Sequence, residues 1–286
     1  MDLTNPRELR PLLERHGFRF SKGLGQNFLI DASVPRRVAE GSGVDDGSWA
    51  LEIGPGVGCL SRELASRAGR VTAVEKDSRL MPVLAETLAD CANTEVVNAD
   101  FLKLDLEKFA AEHSGGLKPT VCANLPYNIT SPVLAKLLES RLFCAVTVMV
   151  QREVAARLCA APGTAEYGAF TVFVNWYAEP QVLFDVAPGC FLPPPKVTSS
   201  VLRLDIRAAA PEGVPSEALF FRVVRSAFGQ RRKTLANALA AGLGGMPKNE
   251  IQEAISRAAL QERVRGEELG IPEFARLTRE LYGQAH

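Results

Sequence analysis

Short apolar runs alternate with helical periods along most of the chain from about residue 47. Residues 49–53, 70–75, 94–98, 120–123 and 145–150 are runs of strand length, rich in β-branched and other apolar side chains. Between them, residues 59–68, 78–92 and 131–140 carry apolar positions at helical spacing. Strands this apolar are buried on both faces, so their alternation with helices predicts an α/β fold built on a parallel, Rossmann-like sheet. Residues 181–185 and 197–206 add two later strands, suited to an antiparallel hairpin that closes one edge of the sheet.

The ends of the chain are written differently. Residues 1–30 form a basic arm in which Arg7, Arg10, Arg15, Arg19 and Lys22 outweigh three acids. Asn5-Pro6 is a helix start, and Leu9, Leu12 and Leu13 make one apolar stripe. Pro11 predicts a kink there, or a helix that begins at that position. Residues 22–28 read as a glycine-hinged loop. Residues 208–215, rich in Ala, Pro and Gly, read as a linker. Beyond it, residues 216–228, 233–242, 248–259 and 272–282 are helix-like, which predicts a small all-helical domain over 208–286 after a catalytic-type domain over 31–207.

Composition narrows the classes. The chain has 286 residues, 47% of them hydrophobic and 23% charged, which excludes wholesale disorder. Its longest apolar runs, such as residues 142–150, are far below the ~18 residues of a membrane span. The N-terminus lacks a basic-then-apolar leader, and a cytoplasmic protein is expected. The six cysteines are scattered, several in apolar runs around Cys122 and Cys144, and are expected to be buried reduced thiols. Three histidines without ligand spacing argue against a metal site. The 33 basic and 33 acidic residues cancel, which removes the simplest sign of a nucleic-acid partner.

Candidate chemistry sits at strand ends. Residues 51–58, Leu-Glu-Ile-Gly-Pro-Gly-Val-Gly, end one strand and open a helix, so backbone can approach a ligand closely. A dinucleotide fingerprint would need glycine at position 59, where this chain has Cys59; together with Glu52 inside the strand, this suits a nucleoside ligand without a pyrophosphate. Glu75 ends the next strand, where a carboxylate can accept both ribose hydroxyls; a helix N-terminal acid is the alternative. Asp100 ends the third strand and can read an adenine amine beside Phe101, or merely cap a loop. Asn124-Leu125-Pro126-Tyr127 places an amide and an aromatic at the carboxyl end of a central strand, where open α/β sheets bind ligands. Pro193-Pro194-Pro195 stiffens a loop that presents Phe191, or leaves it in the core as most Phe are.

Six motifs in order carry a resemblance. They are residues 25–29 (Gly-Gln-Asn-Phe-Leu), 52–58, Val74-Glu75, Asn98-Ala99-Asp100, 124–128 (Asn-Leu-Pro-Tyr-Asn) and 191–197 (Phe-Leu-Pro-Pro-Pro-Lys-Val). The set closely resembles the ribosomal RNA adenine dimethyltransferases, of the type that modifies small-subunit rRNA. The resemblance implies a seven-stranded S-adenosylmethionine-dependent methyltransferase domain, and two adjacent adenines in the 3′-terminal hairpin of small-subunit rRNA as substrate. It implies that Gln26, Asn27, Leu29, Gly54, Gly56, Glu75, Lys76, Asp100, Phe101 and Asn124 bind S-adenosylmethionine. Asn124, Leu125, Pro126, Tyr127 and Phe191 would hold the adenine, with Tyr127 and Phe191 sandwiching it.

An adenine amine is a poor nucleophile, because its lone pair is delocalised into the ring. The Asn124 side-chain oxygen and the Leu125 carbonyl could accept its N–H groups and turn the lone pair toward the methyl donor. Arg222, Arg225, Arg231, Arg232 and Lys233 form an uninterrupted basic run, read as an RNA contact or as a solvated helix face. Neutrality is then a cancellation: residues 1–30 carry +2, 31–125 carry −5, 126–206 carry 0 and 207–286 carry +3. A precursor of the small subunit is the expected partner of a monomer, with no membrane and no metal. The rivals are a large-subunit rRNA adenine methyltransferase of the antibiotic-resistance type, a non-catalytic assembly factor and, disfavoured by Cys59, an NAD oxidoreductase.

Overall fold

The structure is a computed structural model that describes residues 1–20 and 25–283; Lys22, Gly23 and Leu24 of the glycine-hinged loop and His286 lie outside the described residues. The chain forms two compact units. The first comprises Met1–Ala155 and Glu179–Ile206, and the second takes residues 156–178 and the chain from Arg207 onward. The segment 156–178, expected within a continuous 31–207 domain, therefore groups with the C-terminal helices.

Among the described residues the first unit is built on nine strands: β1 (Phe28–Leu29), β2 (Ser48–Ile53), β3 (Arg70–Glu75), β4 (Thr94–Asn98), β5 (Lys118–Asn124), β6 (Ala145–Gln151), β7 (Ala178–Val186), β8 (Phe191–Leu192) and β9 (Ser199–Ile206). Seven of them make one sheet in the order β4-β3-β2-β5-β6-β9-β7. The first five in that order are parallel, as their apolar sequences predict, and β9 runs antiparallel to β6 with Ala145 opposite Asp205. The two late strands do lie at one edge, with β9 inside and β7 outermost. The remaining strands, β1 and β8, form a separate antiparallel ribbon that pairs Leu29 with Phe191. No local pattern announces a ribbon this short.

The helices of this unit are α1 (Pro6–Arg15), α2 (Ser33–Ser42), α3 (Cys59–Ala65), α4 (Met81–Thr87), α5 (Leu106–His113) and α6 (Thr130–Ser140). Helix α1 starts at Pro6, where the Asn5 side chain accepts the Arg7 N–H, and it continues through Pro11. Its Leu9, Leu12 and Leu13 bury against Leu80, Val83, Leu84 and Leu88. Helix α3 ends earlier than its sequence suggests, because the Asn93 side chain takes the carbonyls of Ala65 and Ala68 at 3.0 and 2.8 Å. The stretch 78–92 is likewise shorter, a tight turn Ser78–Leu80 followed by α4. Arg62 donates to the Thr87 carbonyl at 2.7 Å and pairs with Asp90, which ends that helix. Helices α2 and α5 have no counterpart in the sequence reading.

The second unit contains α8 (Ala169–Tyr177), α9 (Glu217–Gly229), α10 (Leu235–Leu243), α11 (Lys248–Arg257) and α12 (Ile271–Tyr282), together with the end of α7 (Arg152–Leu158). Trp176 stacks on Phe220 at 4.2 Å between ring centres. Glu217 accepts from the Trp176 Nε1–H at 3.2 Å and from the Tyr177 hydroxyl at 3.1 Å. None of the cysteines is in a disulfide among the described residues, but only Cys59 and Cys122 are buried; Cys144 is exposed because it precedes β6 rather than lying in it. Among the described residues, no helix is long and apolar enough to cross a membrane.

Candidate active site

The carboxyl ends of β2, β3, β4 and β5 and the N-terminal arm enclose a cavity of about 190 Å³. Gly54 and Gly56 turn the chain out of β2 with φ of 72° and 60°, a region that favours glycine. A side chain at Gly56 would meet the Phe28 ring at 3.1 Å, whereas at Gly54 it would point into open space. The backbone thus stays clear of the cavity on one side and lets the arm close on the other.

Two carboxylates stand beneath this loop. Glu75 is 6% exposed; its Oε1 accepts the Asp77 N–H at 2.7 Å. Burial pushes its pKa up, against the pull of backbone N–H groups of Asp77, Gly56 and Lys76. Glu52 is more deeply set, with Ser61 Oγ donating to it at 2.5 Å. Burial raises its pKa to about 8, opposed by the Ser61 hydrogen bond and aided by the charge of Glu75.

The Glu52 shift has a stability consequence. A carboxyl whose folded pKa lies above its unfolded value favours the fold when protonated, and loses that contribution as pH rises from about 4.5 toward 8. Glu52→Gln is expected to flatten this decline, gaining on the order of 2–4 kcal/mol relative to wild type between pH 5 and pH 8. Calorimetric unfolding at the two pH values checks it; an equal effect of the substitution at both would remove ionisation as the cause.

At the rim, Lys76 pairs with Asp100 at 3.0 Å, and Asp100 also accepts the Leu102 N–H at 3.1 Å. Lys76 holds the Asp100 pKa below the usual carboxylate value, so Asp100 stands ionised as an acceptor. The arm is fastened over the cavity at several points. The Gln26 side chain donates to Asp77 Oδ2 at 2.8 Å, and Arg79 closes a fork on the same carboxylate. Phe28 packs on Phe18 and Phe20 with ring centres 5.7 and 5.2 Å apart. The role of Asp77 as the arm's anchor depends on Gln26, far away in sequence.

Asn124 ends β5 facing the cavity. Its Nδ2 donates to the Asn27 carbonyl at 3.1 Å, which leaves Oδ1 as an acceptor. Leu125 is buried and fixed by its N–H on the Met149 carbonyl at 3.3 Å. The Tyr127 hydroxyl hydrogen-bonds Ser199 Oγ at 2.7 Å, so the ring is held at one edge of the site.

Gln26, Asn27, Leu29, Gly54, Gly56, Glu75, Lys76, Asp100, Phe101, Asn124, Leu125, Pro126 and Tyr127 all line the one cavity. So does Cys59, whose thiol burial pushes up to about 12 and leaves inert. Phe191 is not among them. It is 2% exposed and packs with Leu29, Val34, Met149 and Val201, because its pairing with Leu29 turns its ring into the core. As placed, it offers no face to a base in the cavity.

The basic run belongs to the second unit. Arg222 donates to the Leu243 carbonyl, and Arg231 pairs with Glu267 at 2.7 Å and donates to the Ala165 carbonyl at 2.6 Å. Arg225, Arg232 and Lys233 are exposed and make no ion pair among the described residues. In the arm, Arg15 and His16 are both engaged by Glu86.

The cavity suits a nucleoside ligand by its polar groups: an open glycine turn after β2, a buried acid ending β3 and an ionised acid after β4. Comparison with known proteins agrees with that chemistry. The family described as Ribosomal RNA adenine dimethylase matches residues 17–281. The chain is 43% identical over 280 residues to Ribosomal RNA small subunit methyltransferase A of Alkaliphilus oremlandii, covering 98% of each chain. It is 44% identical over 284 residues to the protein of that name from Geobacillus thermodenitrificans, covering 98% of this chain and 97% of the relative. Among solved structures, the 23S rRNA methyltransferase ErmE is similar with a TM-score of 0.68 and 30% identity, over 89% of this chain and 99% of that one. A dimethyladenosine transferase from Plasmodium falciparum shares the fold, with a TM-score of 0.75 and 24% identity over 87% of this chain and 95% of that one.

Proposed function

The chain belongs to the ribosomal RNA adenine dimethylase family, and from that membership we propose that it dimethylates the N6 amines of two adjacent adenines in the 3′-terminal hairpin loop of small-subunit rRNA, using S-adenosylmethionine. The observation that carries the reading is the Asn124 amide. One N–H of its Nδ2 donates to the Asn27 carbonyl, which fixes the amide at the cavity with its oxygen available as an acceptor.

S-adenosylmethionine supplies an electrophilic methyl group on its sulfonium. Glu75 would take the ribose hydroxyls and Asp100 the adenine amine of the cofactor, and Gly54 and Gly56 would leave room for backbone contact. Asn124 Oδ1 and the Leu125 carbonyl accept N–H groups of the target amine and turn its lone pair toward the cavity. Tyr127, pinned by Ser199, gives the extruded base a stacking face worth roughly 1–3 kcal/mol. No strong general base is required, because the alkylated amine releases its proton to water. Positioning is the main source of rate, and ordered reactants can save roughly 7–11 kcal/mol of barrier.

Arg225, Arg232 and Lys233 contact RNA phosphates, whereas Arg222 and Arg231 serve the second unit's own structure. The protein acts as a monomer in the cytoplasm, on a precursor of the small subunit during its maturation. The likeness to a 23S rRNA methyltransferase supports a second reading, methylation of large-subunit rRNA.

One experiment separates them: mass-spectrometric mapping of methylated adenines after incubation with unmodified small and large subunits. Dimethylation of two adjacent adenines near the 3′ end of small-subunit rRNA is expected, and modification of the large subunit alone would overturn the assignment. With Arg225, Arg232 and Lys233 all changed to Glu, the yield should fall and the salt dependence of RNA binding should flatten. If neither changes, these three are a solvated face.

A further inference from the structure

Helix α6 follows the Asn124–Tyr127 turn without a break, since the helical turn Tyr127–Ile129 runs straight into Thr130. Lys136, near its middle, is half-buried rather than directed into solvent. Its Nζ donates to the Leu102 carbonyl at 2.8 Å and to the Leu104 carbonyl at 2.5 Å, and it lies 5.8 Å from the centre of the Phe101 ring. These acceptors belong to the short turn Phe101–Lys103 and the residue after it, directly beyond Asp100. Such a turn is too short to satisfy its own terminal carbonyls, and a cation at its carboxyl end meets both the open acceptors and the local dipole.

The turn is one wall of the cavity. Ala99, Asp100, Phe101 and Leu102 line it, and the Leu102 N–H fixes one oxygen of Asp100. Lys136 therefore ties the wall after β4 to the helix that grows out of the Asn124–Tyr127 turn after β5. Among the described residues, no other side chain donates to these two carbonyls. Removing the ammonium leaves a pair of acceptors unsatisfied in a half-buried place, and the turn is then free to shift.

We propose that Lys136 is a positioning residue, one that holds the nucleobase-binding wall of the cofactor site in register with the turn that holds the target adenine. The proposal rests on the cofactor reading given above. It makes the two halves of the site a single mechanical piece, so that a cofactor seated against the wall also steadies the helix behind Tyr127.

The test compares wild type with Lys136→Met, which keeps the aliphatic stem, and Lys136→Arg, which keeps the donors. Hydrogen exchange of amides 101–105 is read in the ligand-free chain, affinity for S-adenosylhomocysteine by calorimetry, and KM for S-adenosylmethionine against kcat. In Lys136→Met, exchange in 101–105 should quicken at least about tenfold, and the dissociation constant and KM should each rise by about tenfold. The kcat should change by less than about threefold, and Lys136→Arg should recover most of both losses. Faster exchange with unaltered affinity would overturn the positioning role, as would unaltered exchange. Wild type that fails to bind S-adenosylhomocysteine would overturn the cofactor reading and the proposal together; wild-type affinity in Lys136→Met would overturn the proposal alone.

Discussion

Asn124→Ala is expected to slow methyl transfer by at least about 100-fold at saturating RNA and cofactor, with rRNA affinity within a few-fold of wild type. The size follows from what one side chain does here. Its oxygen is the acceptor that would orient the target amine, and its nitrogen holds the Asn27 carbonyl at 3.1 Å. Alanine loses both. Asn124→Asp separates the two roles, because a carboxylate can still accept from the amine but sets an anion against the Asn27 carbonyl. That variant should retain more of the chemical step than Asn124→Ala and lose more affinity for the cofactor. Single-turnover transfer and calorimetry read the two effects. Turnover of Asn124→Ala close to wild type would remove the residue from catalysis.

Glu75→Gln should weaken S-adenosylmethionine binding by about 10- to 100-fold, since hydrogen bonds to a charged group are worth roughly 1.5–3 kcal/mol. Glutamine keeps the shape and one acceptor for the Asp77 N–H, so loss of fold is not the expected cause. The raised pKa of Glu75 adds a pH signature. Binding to ribose hydroxyls favours the carboxylate, so affinity should fall as pH drops through the raised pKa, and the variant should lack that fall. Titration calorimetry across the acid range checks both. An affinity unchanged at neutral pH would move the ribose contact to another group.

The parallel sheet was legible because its inner strands, β2, β3, β5 and β6, are buried over most of their length and so are largely apolar. β3 and β4 begin and end where the pattern placed them. The cavity was legible for the same reason: every parallel strand that ends there ends in an acid, an amide or a glycine turn. What the sequence hid is what depends on distant partners. Helix α8 is an apolar run of nine residues, and periodicity alone cannot sort such a run into helix or strand. Its conformation suits its packing on α9 through Trp176 and Phe220. Between a presented and a buried Phe191 the choice rests on Leu29, and the engagement of Arg231 rests on Glu267; neither partner is near in sequence. Lys136 had no signal at all, since a single lysine on a helix reads as solvated.

The interleaving of the two units also governs the order in which they can be finished as the chain is made. The chain leaves the first unit after Ala155 and returns at Glu179. Helix α8 thus emerges with Phe173, Trp176 and Tyr177 well before Phe220 and Phe221 exist to cover them. Meanwhile β6 waits for β9, the last strand to be synthesised, while β7 comes out first. Neither unit can close early, and each holds apolar surface open until its last segment arrives. A nascent chain stopped near residue 206 would carry a completed sheet and an orphaned aromatic helix. The sheet is therefore complete once residue 206 has been made, whereas the helical unit is finished only with its last helix.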